Sequence, residues 1–297
     1  EQLIEGDDSV TIDAPERVNV GQHVRQAGED IAQGAVALTA GTRLDAASMG
    51  LVASLGYAEV DVYRRPKVAI FSTGNEVTPP GEPLPSAGIY DTNRFTLMGM
   101  LSEQGAEVVD LGILPDDPRA IEQALAEAAA QCDLVITSGG VSVGHADYTR
   151  AALEKLGRLA FWRVALRPGR PMACGQLGES RTPFVGLPGN PVAVMVTFSQ
   201  FVVPLLQRLQ GQLPAAPTRL TAIAQTPLKS RLNRTDFLRG IYTCDDQGVL
   251  HVRSTGAQGS GILTSMVMAN CLIELGDDQA DAQPGEAVCI QPITSWQ

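Results

Sequence analysis

Carboxylates set beside glycines are the chemically loaded feature of this chain. Thr73-Gly74-Asn75-Glu76, Pro115-Asp116-Asp117-Pro118 and Thr137–Thr149, which contains Ser138-Gly139-Gly140 and Asp147, bring Glu76, Asp116, Asp117 and Asp147 into glycine-rich surroundings. Carboxylate oxygens suit a small hard cation, and glycine lets backbone N–H groups approach an anion. Arg167-Pro168-Gly169-Arg170-Pro171 offers two guanidinium forks on a Pro-Gly turn, a match for phosphate or another oxyanion. Gly186-Leu187-Pro188-Gly189-Asn190-Pro191 opens a long apolar run, and the free N–H groups of a helix start can receive an anion. Each run also has a plainer reading. Thr73–Glu76 and the Gly139-Gly140 pair suit tight turns, and Asp117 sits where a helix cap belongs, which leaves Asp116 the freer carboxylate. Asp147 could cap a helix beginning near Tyr148, His145 suits a solvated loop, Arg167–Pro171 suits a solvated basic turn, and Pro191 suits the first position of a helix.

The elements around these runs explain how they could meet. Val68–Phe71 is a continuous apolar strand ending at Ser72-Thr73-Gly74. Arg94–Gln104 follows as a helix, with Phe95, Met98 and Leu101 at helical spacing and Gly105 after it. Val108–Leu114 reads as a second strand. Pro118–Gln131 reads as a helix capped by Asp117, with Ile121, Leu125 and Ala128 on one face. Leu134–Thr137 is a third strand, Ala160–Leu166 and Phe184-Val185 are later ones, and Pro191–Leu209 is a long closing helix. Strands alternating with amphipathic helices predict a parallel sheet covered on both faces. In such a sheet ligands bind outside the carboxyl ends of the strands, where Glu76, Asp116 and Asp147 fall. Before this segment, residues 1–32 read as the tail of a small β domain, with alternation at Val18-Asn19-Val20, and Asp45–Leu55 reads as a helix closed by Gly56. After it, Gln210–Pro217 reads as a linker. The period then becomes two, with Phe237–Thr243 and Val249–Ser254 flanking the turn Asp245–Gly248, and further strands at Cys271–Leu275 and Ala287–Ile290.

Composition narrows the function classes. The chain has 297 residues, 44% hydrophobic and 19% charged, enough for two or three domains. A net charge of −11 argues against nucleic acid as a partner and means that an anionic substrate must be held by local positive groups. Five cysteines without a CxxC pair and three histidines argue against a zinc site and against a disulfide framework, and fit a reducing cytoplasm. No apolar run of about 18 residues stands out as a membrane span, and the first residues carry no signal-peptide pattern. The chain opens without Met, in what reads as the middle of a β segment, which suggests a truncated chain.

The order of these runs is more telling than any one of them. Thr73–Glu76, Tyr90-Asp91-Thr92-Asn93-Arg94, Pro115–Pro118, Ser138–Thr149, Pro168–Pro171 and Gly186–Ala193 resemble, in that order, the MoeA/gephyrin E-domain family of molybdopterin molybdenumtransferases. Gly28-Glu29-Asp30-Ile31 upstream, and Arg239-Gly240 and Thr255–Ser260 downstream, extend the resemblance over nearly all of the chain. It implies an α/β fold: a molybdopterin-binding three-layer α/β/α domain over 66–211 and a C-terminal β-barrel-like domain over 218–297. Residues 1–32 would be the remnant of an N-terminal β domain and 33–65 that of a linker or helical domain. It implies molybdenum cofactor biosynthesis, with molybdenum from molybdate inserted into adenylylated molybdopterin and AMP released. It implies magnesium held by Glu76, Asp116 and Asp147, with Asp30 a further carboxylate near the site. Thr73, Gly74, Ser138, Gly139, Gly140, Pro188, Gly189 and Asn190 would hold the substrate. Arg167, Arg170, Arg239 and Ser260 would hold molybdate or phosphate. It further implies a cytoplasmic homodimer that works beside the molybdopterin adenylyltransferase, with no nucleic acid and no membrane as partner.

Two departures matter. The family often has lysines in the Pro168–Pro171 loop region where this chain has Arg167 and Arg170. Its N-terminal motif of the type FDxSAMDGYA is absent, so the chain as it stands is expected to be incomplete as a catalyst. Among alternatives, a competence-damage-type nucleotide hydrolase shares the sheet but would show GGLGPTxDD where this chain has Gly139–Thr149. A dinucleotide dehydrogenase would need a GxGxxG after the first strand. A scaffold role, as gephyrin has in anchoring receptors, would leave the carboxylates without a task.

Overall fold

The computed structural model describes residues 3–12, 19–140, 148–213 and 215–293, and divides them into two compact units, Glu1–Val60 and Asp61–Gln297. The first unit has little core. Strands β1 (Leu3–Glu5) and β2 (Val10–Ile12) form an antiparallel pair, and helix α1 (Ala46–Ser54) buries none of its residues. Asp45 caps α1, its carboxylate accepting from the Ser48 backbone N–H at 2.8 Å, and Gly56 follows with φ +84, as expected from the sequence. The strand expected around Val18–Val20 is not found in its described part. Asn19 and Val20 lie in a turn closed by the Gln22 N–H on the Asn19 carbonyl, and Val20 has no neighbour to cover it.

The second unit opens with the α/β layers. In chain order come β3 (Lys67–Thr73), β4 (Val77–Thr78), β5 (Ile89–Tyr90), α2 (Asn93–Glu103), β6 (Glu107–Leu114), α3 (Pro118–Gln131) and β7 (Leu134–Ser138). Then follow α4 (Tyr148–Leu156), β8 (Gly157–Arg163), β9 (Leu166–Arg167), β10 (Pro171–Leu177), β11 (Thr182–Leu187), α5 (Pro191–Thr197) and α6 (Val203–Leu209). The large sheet runs β6-β3-β7-β11-β10-β8. Its first four strands are parallel, while β10 pairs antiparallel with both β11 and β8. The expected all-parallel sheet is therefore corrected to a mixed one, because the short turn between β10 and β11 leaves no room for a crossover helix.

Alternation along the strands supplies both faces of this sheet. Val68, Ile70, Leu134 and Ile136 point to the core shared with α2, α5 and α6, whereas Ala69, Phe71 and Val135 point to the core shared with α3 and α4. On α2 the buried apolar residues are Leu97, Met100 and Leu101; of the expected set Leu101 is buried and Met98 packs against the core, whereas Phe95 does not. Phe95 stays on the surface under the Arg94 guanidinium, 5.0 Å from the ring centre. Pro191–Leu209 is one long helical segment, as expected, but Phe198–Val202 widens into a π turn between α5 and α6. Pro204 accounts for it: its ring lacks an N–H and would crowd the carbonyl one turn earlier in a regular helix. At 19 residues the segment is long and apolar enough to cross a membrane, contrary to the sequence reading, yet more than half of it is buried and its apolar side chains fill the core.

The C-terminal part of the second unit adds β12 (Leu220–Ala224), β13 (Thr235–Cys244), β14 (Leu250–Ser254), α7 (Thr264–Met268), β15 (Cys271–Leu275) and β16 (Ala287–Pro292). The order β14-β12-β16-β15-β13 closes on itself through β13–β14 pairing, which makes a small barrel around Ile273, Leu275, Val252 and Ile290. The β13–β14 hairpin is the one expected from Asp245–Gly248. Strand β9 pairs in parallel with β13, Asp236 opposite Arg167, so the arginine loop belongs to the edge of the barrel.

Candidate functional site

Strand order decides which runs meet. β3 lies between β6 and β7, and β11 lies on the other side of β7, so the loops after these four strands open at one edge of the sheet. They line one cleft of about 500 Å³, walled by Ser72–Gly74, Glu76, Val77, Ile89–Asn93, Asp116, Ser138–Gly140, Pro171, Gly189 and Pro191. Five of the sequence motifs thus share one cavity with the start of α5.

Glu76 and Asp116 carry its negative charge. The Glu76 carboxylate folds back over Gly74: a Cβ built on Gly74, where φ is +131, would lie 2.8 Å from both carboxylate oxygens. Asp116 accepts the Asn75 backbone N–H at 3.2 Å, so the Thr73–Glu76 turn and the β6 end are tied together. Its neighbour Asp117 faces away into α3, accepting from the Arg119 and Ala120 N–H groups as the cap. The division of labour expected for this pair therefore matches the geometry. Among the described residues no three of His, Cys, Asp and Glu gather as a metal cluster. Asp147 and His145 lie outside the described residues.

Glycines form the floor. Gly140 has φ +65, and a Cβ there would sit 2.7 Å from the hydroxyls of both Thr73 and Thr149. Any larger residue would be strained in backbone and crowded in side chain. The Gly139 N–H donates to the Leu187 carbonyl at 3.2 Å, so it is not the anion donor the sequence suggested. Gly140 and the exposed Gly189-Asn190 turn are the backbone that faces outward. Pro188 is buried behind them, its carbonyl 3.5 Å from the Ser138 hydroxyl, and the Asn190 side chain makes no cap bond to α5.

The basic residues form a second group. Arg167 is half exposed and reaches to 4.0 Å from the fully buried Asp236, which Arg234 approaches at 2.8 Å. Arg239 is only 1% exposed. Its guanidinium donates to the Ser265 hydroxyl at 3.0 Å and to the Gly259 carbonyl at 2.9 Å, clamping the loop after β14. Burial, with Arg167 beside it, pulls its pKa down to about 10. Arg170 is exposed, and Ser260 is half-buried, its carbonyl accepting the Val192 N–H at 3.1 Å. Arg167, Arg170, Arg239 and Ser260 are not in the cleft wall. The two groups join through Pro171 and the Pro191-Val192 start of α5. Asp30 belongs to the separate first unit.

Comparison with known proteins fits this arrangement. A model described as the probable molybdopterin binding domain matches residues 69–208, the MoeA N-terminal region (domain I and II) matches 1–56, and the MoeA C-terminal region (domain IV) matches 221–293. A molybdopterin molybdenumtransferase from Haemophilus influenzae is 47% identical over 284 residues, covering 95% of this chain and 70% of that protein. The chain belongs to the molybdopterin molybdenumtransferase family. A molybdopterin molybdenumtransferase from Nostoc sp. is 34% identical, covering 91% of this chain and 63% of that one. The crystal structure of the molybdopterin biosynthesis MoeA protein from Pyrococcus horikosii superposes with a TM-score of 0.76 at 31% identity, covering 91% of this chain and 65% of that one. The chain thus spans 63% to 70% of the length of these relatives.

Within this family member, the cleft also has residues that reading by motif left out. Asp91 is 3% exposed, accepts from the Ser72 hydroxyl at 3.0 Å and from the Arg94 guanidinium at 2.8 Å, and Arg94 reaches on to Asp110. Burial works against the Arg94 charge, yet the bonds to Asp91 and the nearby Asp110 hold its pKa above the usual arginine value. The Asn93 amide donates to the Gly189 carbonyl at 2.7 Å and so links the turn after β5 to the start of α5. The signal for these residues was in the sequence as Tyr90–Arg94, quoted for family order but given no role.

Proposed function

We propose that this chain acts in molybdenum cofactor biosynthesis, inserting molybdenum from molybdate into adenylylated molybdopterin with release of AMP. The observation that carries the reading is one cleft joining Glu76 and Asp116 to the glycine floor at Gly140 and Gly189. A phosphate-linked substrate needs both: backbone groups that approach its oxygens, and hard ligands for a cation. In the reaction the bond between the molybdopterin phosphate and AMP breaks and water supplies the oxygen that ends on a phosphate; the two dithiolene sulfurs then bond to molybdenum while an oxygen of molybdate leaves as water with the thiol protons.

Magnesium fits the residues present. It takes one or two carboxylates and completes its shell with water and substrate phosphate, and Glu76 and Asp116 of the cleft offer such a pair; Asp147 is added as a third by the family resemblance alone. The chemistry it supplies when bound is neutralisation of charge on the phosphate oxygens. The chain's own groups position the rest. Asn75 orients Asp116, Gly140 lets the phosphate lie against backbone, and Thr73, Gly74, Ser138, Gly139 and Gly189 line the cleft, with Pro188 and Asn190 flanking Gly189 in the chain. Arg167, Arg170, Arg239 and Ser260 are the molybdate side of this reading. Burial first, and then the neighbouring Arg167, work against the Arg239 charge, so an anion held beside the two guanidinium groups would favour it. Asp30, a homodimer, a cytoplasmic setting and handover from the molybdopterin adenylyltransferase belong to the same reading, as do the domain limits 66–211 and 218–297.

The test is incubation of the protein, extended to the length of its Haemophilus influenzae relative, with adenylylated molybdopterin, magnesium and molybdate. Molybdate-dependent AMP release is expected. Binding without AMP release would leave a scaffold instead.

A further inference from the structure

Among the described residues the cleft has one aromatic side chain in its wall, and its setting suggests a task. Glycines and carboxylates make the floor, which suits phosphate, but about 500 Å³ is more room than a phosphate group needs. Tyr90 stands in the wall on the short strand β5, 43% exposed, beside Ile89 and Val77.

Its backbone is fixed from both sides. β4 and β5 pair with Val77 opposite Ile89 and Thr78 opposite Tyr90. The Ile89 N–H donates to the Glu76 carbonyl at 2.8 Å, and the Asp91 N–H donates to the Thr78 carbonyl at 2.9 Å. Before the strand, the turn at Gly88 is packed so closely that a Cβ there would meet Pro85 at 2.9 Å and the Thr78 hydroxyl at 3.2 Å. After it, Asp91 is buried and held by Ser72 and Arg94. The ring itself is anchored by its tip, the phenol donating to the Glu82 carbonyl at 3.2 Å. A ring held at backbone and tip, yet open to solvent, has little freedom left to lose on binding. The same strand pairing holds the Glu76 backbone, so Tyr90 and Glu76 belong to one braced turn.

We propose that Tyr90 is a stacking platform for a flat nitrogen heteroaromatic ring at one end of the substrate, either the adenine or the pterin. This rests on the reading of the cleft as the substrate site. Stacking needs only a π face, so it adds affinity without a hydrogen-bond code.

The experiment is calorimetric titration of the protein and of Tyr90→Ala, Tyr90→Phe and Tyr90→Trp, with AMP plus magnesium in one arm and pterin-6-carboxylate in the other. Tyr90→Ala should weaken one of the two ligands by about tenfold or more, and the affected arm identifies the ring. Tyr90→Phe and Tyr90→Trp should stay within about threefold of the parent, since both keep a flat face. With the intact substrate, Tyr90→Ala should raise KM while leaving kcat nearly unchanged. If Tyr90→Ala binds both ligands as the parent does, the stacking role is wrong while the function stands. If Tyr90→Phe loses as much as Tyr90→Ala, the phenol bond to Glu82 matters and stacking does not. If the parent binds neither ligand, the reading of the cleft falls and this inference with it.

Discussion

Arg239 shows how much a single residue type leaves open. The family resemblance made Arg239 an anion holder, with Arg167 as its neighbour. The structure adds a second task, because its guanidinium is buried against Ser265 and the Gly259 carbonyl. Sequence could not show this, since the partners lie 20 and 26 residues downstream. Arg239→Ala would leave these groups buried without a partner, so a loss of about 2–4 kcal/mol in urea unfolding is expected. An unchanged midpoint and slope would mean that the loop does not depend on the clamp. Asp91 and Arg94 were opaque for a similar reason: a charged pair at a helix start reads as solvated, and only the closeness of Ser72 and Asp110 shows that it is buried.

At the scale of elements, local signals were read well and long-range ones less so. Asp117 and Pro118 together announce the start of α3, and the structure has the cap there. Asp117→Ala is expected to lower stability by about 1 kcal/mol in thermal or urea unfolding with AMP release retained. A tenfold loss of activity without loss of stability would instead put Asp117 in the chemistry. β10 was missed because Pro171, Gly175 and Gln176 read as turn residues, and only pairing with β8 and β11 makes a strand of them. The π turn was missed because it arises from where Pro204 falls within the helix. The starts of β3 and β7 are braced by Asp133, which accepts from the Lys67 N–H at 2.7 Å and from both ends of the Arg64 fork. The Arg64 hydrogen bond chiefly, then the Lys67 N–H, hold the Asp133 carboxyl below its usual range despite partial burial. A carboxyl lowered in the folded state stabilises above its unfolded value of 3.8, and that contribution fades as pH falls through the lower folded value. Asp133→Asn should therefore be less stable than the parent at neutral pH, with the gap closing below about pH 4 in denaturant titrations. A gap that persists unchanged to the lowest pH would contradict the brace.

At the scale of the whole molecule, the net charge of −11 sets the problem that the fold resolves. An anionic substrate has to be received at a cleft that itself carries Glu76 and Asp116, within a molecule that repels it. The sheet answers by bringing glycine turns to one edge, and the barrel by carrying Arg167 on its outermost strand, β9. Apolar strands and amphipathic helices made the α/β layers and the barrel legible in sequence. The join between them was not, because residues far apart in sequence make it: β9 lies against β13, the Val192 N–H donates to the Ser260 carbonyl, the Gln200 amide donates to Gln291 at 2.9 Å, and Phe237, Met266 and Leu272 share a core with α5 and α6. The central claim is that the carboxylates of this cleft serve the reaction. Its most direct test is molybdate-dependent AMP release by the protein extended to its relative's length and by the Glu76→Gln and Asp116→Asn variants, each checked for an unchanged melting temperature. A fall of about a hundredfold or more in both variants at saturating magnesium is expected. Full AMP release by either folded variant would contradict the account.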